Sequence, residues 1–79
     1  MPTLLIVNGI RFFFYSNENK EPIHVHVTKG SAAGKVWLEP ITEVGYFNGF
    51  SKAEEKLILE IVELHIEEFK TKWNEHFSK

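Results

Sequence analysis

Hydrophobic and polar positions repeat with a period of two through much of the first half of the chain, then recur at threes and fours from residue 51 onward. The first period belongs to half-buried strands and the second to an amphipathic helix. Thr3 to Val7 and Ile10 to Tyr15 are strand-like runs joined by Asn8-Gly9, the dipeptide most tolerant of the positive φ angles of a two-residue hairpin turn. Ser16 to Pro22 reads as a polar loop, closed by a proline with no N–H to give to a ladder. Strand character returns over His24 to Thr28, a turn is expected at residues 29–34, and Lys35 to Glu39 forms a further strand that Pro40 ends. Residues 41–47 read either as a short edge strand or as an irregular connection closing at Asn48-Gly49.

Ser51-Lys52-Ala53-Glu54 carries a capping box, in which the hydroxyl accepts from an orphan N–H and the glutamate reaches back to the cap residue. Beyond it Leu57, Ile61, Leu64, Phe69, Trp73 and Phe77 recur at helical spacing, and no Gly or Pro interrupts residues 52–77. The pattern predicts an α+β fold in a single domain over residues 1–79. An antiparallel sheet of three to five strands within residues 3–47 is packed on one face by one long C-terminal helix over residues 51–77, bent at most near its end. Alternation gives Ile10, Phe12, Phe14, Ile23, Val25, Val27, Val36 and Leu38 to the helix. It leaves Arg11, Phe13, Tyr15, His24, His26, Lys35, Trp37 and Glu39 on the opposite face. A slip of one residue would exchange the two sets and bury the histidines against the helix.

The chain has 79 residues, 43% of them apolar, which allows one modest core. It has no cysteine, so disulfides, cysteine-based zinc sites and thiol nucleophiles are excluded. Stability must come from packing, for which seven Phe, two Trp and two Tyr are available. The apolar start lacks a charged leader region, and no stretch reaches a membrane span, so a soluble, cytoplasmic protein is expected. Net charge is -2. In residues 1–50 Arg11, Lys20, Lys29 and Lys35 balance Glu18, Glu21, Glu39 and Glu43, so the acid excess lies in the helix. This distribution disfavours RNA as a charge-driven partner.

The chemistry concentrates in Pro22-Ile23-His24-Val25-His26-Val27, where alternation points both imidazoles to one face. Metal is one reading: His24 and His26 could hold a divalent ion, with Glu39 as an oxygen ligand from the neighbouring strand. Acid–base catalysis is another. There His24 and His26 exchange protons, Glu39 orients them, Arg11 or Lys35 stabilises a phosphoryl oxyanion as in ribonuclease chemistry, and Tyr15 and Trp37 stack bases. The plainer reading is a polar-aromatic face whose Phe13, Tyr15, Lys35 and Trp37 contact a small protein partner, with the histidines hydrogen-bonded to neighbours. Phe69, Trp73 and Phe77 are core candidates first, and a homodimer contact second. No nucleophile elbow or phosphate-binding glycine loop is present.

The chain resembles the small bacterial family known as domain of unknown function 4160. The resemblance rests on Met1-Pro2-Thr3, Phe12-Phe13-Phe14-Tyr15-Ser16-Asn17, the His24 segment, Lys35-Val36-Trp37-Leu38-Glu39-Pro40, Gly49-Phe50-Ser51 and Trp73-Asn74-Glu75-His76-Phe77. Ile23 departs from the family's usual Pro-His-Val-His. The resemblance implies a gene context like that of toxin–antitoxin pairs, hence an interaction component of a two-gene regulatory module.

Overall fold

In the computed structural model, which describes residues 3–14 and 22–77, five strands precede two helices: β1 (Thr3–Val7), β2 (Ile10–Phe13), β3 (His24–Lys29), β4 (Ala32–Trp37), β5 (Glu43–Asn48), α1 (Lys52–Leu64) and α2 (Ile66–Phe77). The strands form one antiparallel meander in chain order. The fold is α+β. Asn8 at φ 51° and Gly9 at φ 78° make the first hairpin turn, as the Asn-Gly pair requires.

The second hairpin is tighter than the sequence suggests. Ala32, Ala33 and Gly34 belong to β4 and pair with Lys29, Thr28 and Val27, so the turn expected over residues 29–34 shrinks to Gly30 and Ser31. Glycine is needed at position 34 because β5 and the Val27 side chain crowd it: a Cβ on Gly34 would stand 2.6 Å from Phe47 Cδ1 and 2.9 Å from the Tyr46 carbonyl oxygen. Residues 43–48, which the sequence left open, are the edge strand β5, joined to β4 with a register shift between Lys35 and Val36. At the other end of the pattern, β2 stops at Phe13.

Ser51 caps α1 as expected. Its hydroxyl accepts from Glu54 N–H at 3.1 Å, and the Glu54 carboxylate accepts from Ser51 N–H at 2.9 Å. Ile58, Ile61, Val62 and Phe69 pack on Ile10, Phe12, Val25, Val27, Val36 and Leu38 to form the core. The single long helix is corrected: it breaks at His65 (φ -109°, ψ 17°), although His65 N–H still donates to Ile61 O at 3.0 Å. A straight helix over residues 52–77 would run about 39 Å, whereas a six-residue strand covers about 20 Å. The joint keeps Phe69 and Trp73 over the sheet, where both are buried. Leu64, assigned to the apolar stripe, is 80% exposed, because the buried stripe runs through Ile58, Ile61 and Val62 and leaves Leu64 outside it.

Candidate functional site

Register decides where the histidines go. Phe13 pairs with His26, His26 with Lys35 and Lys35 with Tyr46; beside this row His24 pairs with Trp37 and Trp37 with Glu43. A third row holds Ile6, Arg11, Thr28, Ala33 and Asn48. Val25, Val27 and Val36 lie in the core, so these rows form the sheet face opposite the helices, here called the outer face.

Rings run across this face. Phe13 and His26 stack at 5.6 Å between centroids, and His24 meets both His26 and Trp37 edge-on at 5.1 Å. A cation covers each end: the Arg11 guanidinium lies 4.8 Å above the Phe13 ring, and the Lys35 ammonium 4.1 Å above Trp37. Such placements stabilise a cation by roughly 0.5–1 kcal/mol at an exposed site and more where water is excluded. Arg11 Nε also donates to Thr3 Oγ1 at 2.9 Å, so the guanidinium is fixed from two sides.

The middle of the face is sealed. His24 is 0% exposed, His26 9% and Phe13 3%. Trp73 from α2 reaches round the end of the sheet, where β2 has stopped, and touches both Phe14 and His24, each at 5.1 Å. His24 Nδ1 lies 2.9 Å from the Pro22 carbonyl oxygen; a carbonyl only accepts, so Nδ1 carries the proton and neutral His24 has its lone pair on Nε2. The ring's tautomer and orientation are both set by the segment that starts β3.

Glu39 does not join the histidines. Leu38 N–H donates to Ile23 O at 2.8 Å, one pair beyond His24 and Trp37, and Leu38 is buried in the core; Glu39 follows beyond the end of β4. The Glu39 carboxylate instead accepts from Lys70 Nζ on α2 at 2.7 Å, a bond that raises the Lys70 pKa above its ordinary value. Tyr15 lies outside the described residues. Among those residues, no three His, Cys, Asp or Glu side chains stand together as a metal-binding set. A groove of about 470 Å³ between Thr3, Leu4 and Phe14 and the α2 residues Glu68, Lys72, Glu75 and His76 has neither His24 nor His26 in its lining. Phe69 and Trp73, named as dimer contacts, are buried in the chain's own fold, and Phe77 packs on Trp73 at 4.5 Å.

Two residues of the outer face were not singled out in the sequence. Ile6 is 63% exposed beside Arg11, and Tyr46 is 49% exposed beside Lys35. Ile6 was legible as the residue across the Asn-Gly turn from Arg11. Tyr46 sat in the stretch whose strand character was ambiguous.

A family model described as Domain of unknown function (DUF4160) matches residues 9–74, which include β2 to β5 and nearly all of both helices. The chain belongs to the DUF4160 family. No curated protein and no solved structure matches it. The matched span contains the histidine pair, both cation–ring contacts and Tyr46, while Ile6 precedes it. No helix of this DUF4160 chain is long and apolar enough to cross a membrane.

Proposed function

We propose that this chain is an interaction protein, one component of a regulatory gene pair of the toxin–antitoxin kind, that recognises its partner through the outer sheet face. The gene-pair part of this reading rests on the family resemblance. The docking part rests on one observation: Ile6 and Tyr46 stand exposed on the face that the helices leave uncovered, beside the ring-seated cations Arg11 and Lys35. Exposed apolar groups beside fixed charges suit a partner surface. In this reading the histidines are positioning residues. They hold Phe13 and Trp37, which in turn seat the two cations. Ribonuclease or metal-assisted chemistry at His24 and His26 would need substrate to reach imidazoles that are sealed between rings, so the docking reading is the better supported.

The test is co-purification with the product of the neighbouring gene, comparing wild type with an Ile6→Ser, Tyr46→Ser variant of unchanged circular dichroism. Lost capture supports the outer face; undiminished capture removes it. The chemical reading has its own readout. If induced wild type arrests growth and a folded His24→Ala, His26→Ala variant does not, the imidazoles act directly and docking alone is insufficient.

A further inference from the structure

The sheet is open along β5. Among the described residues this strand pairs with β4 alone, and five of its six positions are exposed, Val44 and Tyr46 among them. Ile41, just before it, is 66% exposed. At the opposite edge β1 is half-buried at three of its five positions. An exposed edge strand is a template for another strand, and proteins blunt it with lysine, proline, shortness or a bulge. β5 runs six residues without lysine or proline, and has a bulge.

That bulge sets the side-chain pattern of the edge. Lys35 pairs with Tyr46 and Val36 with Val44, so Gly45 is the extra residue. A Cβ built on Gly45 would lie 3.3 Å from Trp37 Nε1 and 3.5 Å from Lys35 Cβ, which places it on the outer face with Tyr46. Glu43 and Asn48, level with Trp37 and Ala33, share that face, whereas Val44 and Phe47, level with Val36 and Gly34, lie on the helix side. From Glu43 to Asn48 the order is outer, helix, outer, outer, helix, outer. It reads the same in both directions, which a strictly alternating six-residue strand cannot do.

A two-fold axis normal to a sheet reverses a strand's direction and keeps every residue on its own face. Applied at the middle of β5, it sets Glu43 level with Asn48, Val44 with Phe47 and Gly45 with Tyr46 of a second copy, each pair occurring twice and each on one face. Apolar meets apolar on the helix side, and the Tyr46 ring lies over a glycine. The one charge of the strand meets an amide instead of its own copy. A slip of one residue either way would set Val44 level with Asn48 or Tyr46, across faces.

Independently of the outer-face reading, we propose that β5 is a self-association site. Two copies of this chain join their β5 strands antiparallel, in that register, into one continuous sheet with the helices of both on the same side. The contact uses the β5 edge of each copy and therefore closes at two. A strand of another protein has no need of the palindromic order that a second copy requires. One strand pair is a small contact, so half-association is expected at roughly 0.1 mM.

The test is sedimentation velocity of the full chain from about 10 µM to about 1 mM, with amide shifts of the isotope-labelled chain over the same range to locate the contact. Wild type is expected to pass from monomer to dimer with shifts at residues 43–48. Asn48→Lys brings opposite charges together twice in the dimer and should tighten it roughly two- to thirtyfold, and Asn48→Glu should weaken it by a similar factor. Adding Glu43→Lys to Asn48→Glu should restore it. Position 48 is exposed, and unchanged circular dichroism confirms that each variant folds; if Asn48→Glu does not, the tightening by Asn48→Lys still decides.

A monomer throughout overturns self-association and leaves the outer-face reading standing. A dimer with shifts confined to β1 or the helices, or one that answers alike to Asn48→Lys and Asn48→Glu, overturns the β5 register. Species that keep growing beyond two copies overturn the closed pair.

Discussion

Replacing Gly34 with alanine tests the packing that holds β4 to β5, and with it the placement of Tyr46 beside Lys35. The added methyl would lie 2.6 Å from Phe47 Cδ1, 2.9 Å from Tyr46 O and 3.1 Å from Val27 Cγ2. Phe47 can swing aside, but the Tyr46 carbonyl is backbone of the paired strand and moves only if β5 moves. Gly34 lies within β4 without a positive φ, so alanine gains about 0.5–1 kcal/mol by restricting the unfolded chain. Overpacking costs about 1–3 kcal/mol; contact with backbone puts this site at about 2–3 kcal/mol, and against a gain of up to about 1 kcal/mol that leaves a net loss of about 1–2 kcal/mol. With a urea slope of about 1 kcal/mol/M for a chain of this size, the unfolding midpoint should fall by roughly 1–2 M. The assay is urea unfolding followed by tryptophan fluorescence and by circular dichroism, with the two transitions coincident. An unchanged or higher midpoint would refute the close approach of β5 to Gly34.

Three further outcomes follow from named contacts. Ser51→Ala should cost about 1 kcal/mol through loss of the cap to Glu54 N–H, and Ser51→Asp should restore most of it in thermal unfolding. Phe69→Ala removes a ring that is 1% exposed and stacked on Phe12 at 5.9 Å, so denaturant unfolding should show a loss of about 3–5 kcal/mol. Glu54 is held below its ordinary pKa of 4.5, first by the hydrogen bond from Lys29 and then by the Ser51 N–H. A depressed folded value means its stabilisation is complete above the unfolded pKa and is lost as pH falls through the folded one. Urea midpoints should therefore fall less between pH 5 and 3 in Glu54→Gln than in wild type; equal falls would exclude Glu54 as a contributor.

Local chemistry was readable from the sequence wherever neighbours along the chain make the contact. Asn8-Gly9 carries its own turn preference, and Ser51 and Glu54 satisfy each other across a single helical turn. Strict alternation was enough to put Val25 and Val27 in the core and both imidazoles on the opposite face. The features that escaped depend on distant segments. Ala32, Ala33 and Gly34 look like a turn by composition, yet they pair with β3 as strand, and Val27 and Phe47 leave no room for a side chain at Gly34. No Gly or Pro marks His65, where the helix breaks. Glu39 leaves the expected face because its strand has ended and Lys70 stands within reach. Trp73, forty-nine positions away in the sequence, is one of the rings that meet the buried His24. Alternation assigns a face, but says nothing about what closes over it.

The most direct test of the outer face as the proposed recognition surface is amide hydrogen exchange of the chain, alone and with the proposed protein partner. Complex formation should slow exchange at Ile6, Arg11, Lys35 and Tyr46 and leave the exposed helix positions Glu60, Glu63 and Glu67 unchanged. Protection confined to those helix positions, with the outer strands exchanging as in the free chain, would contradict it.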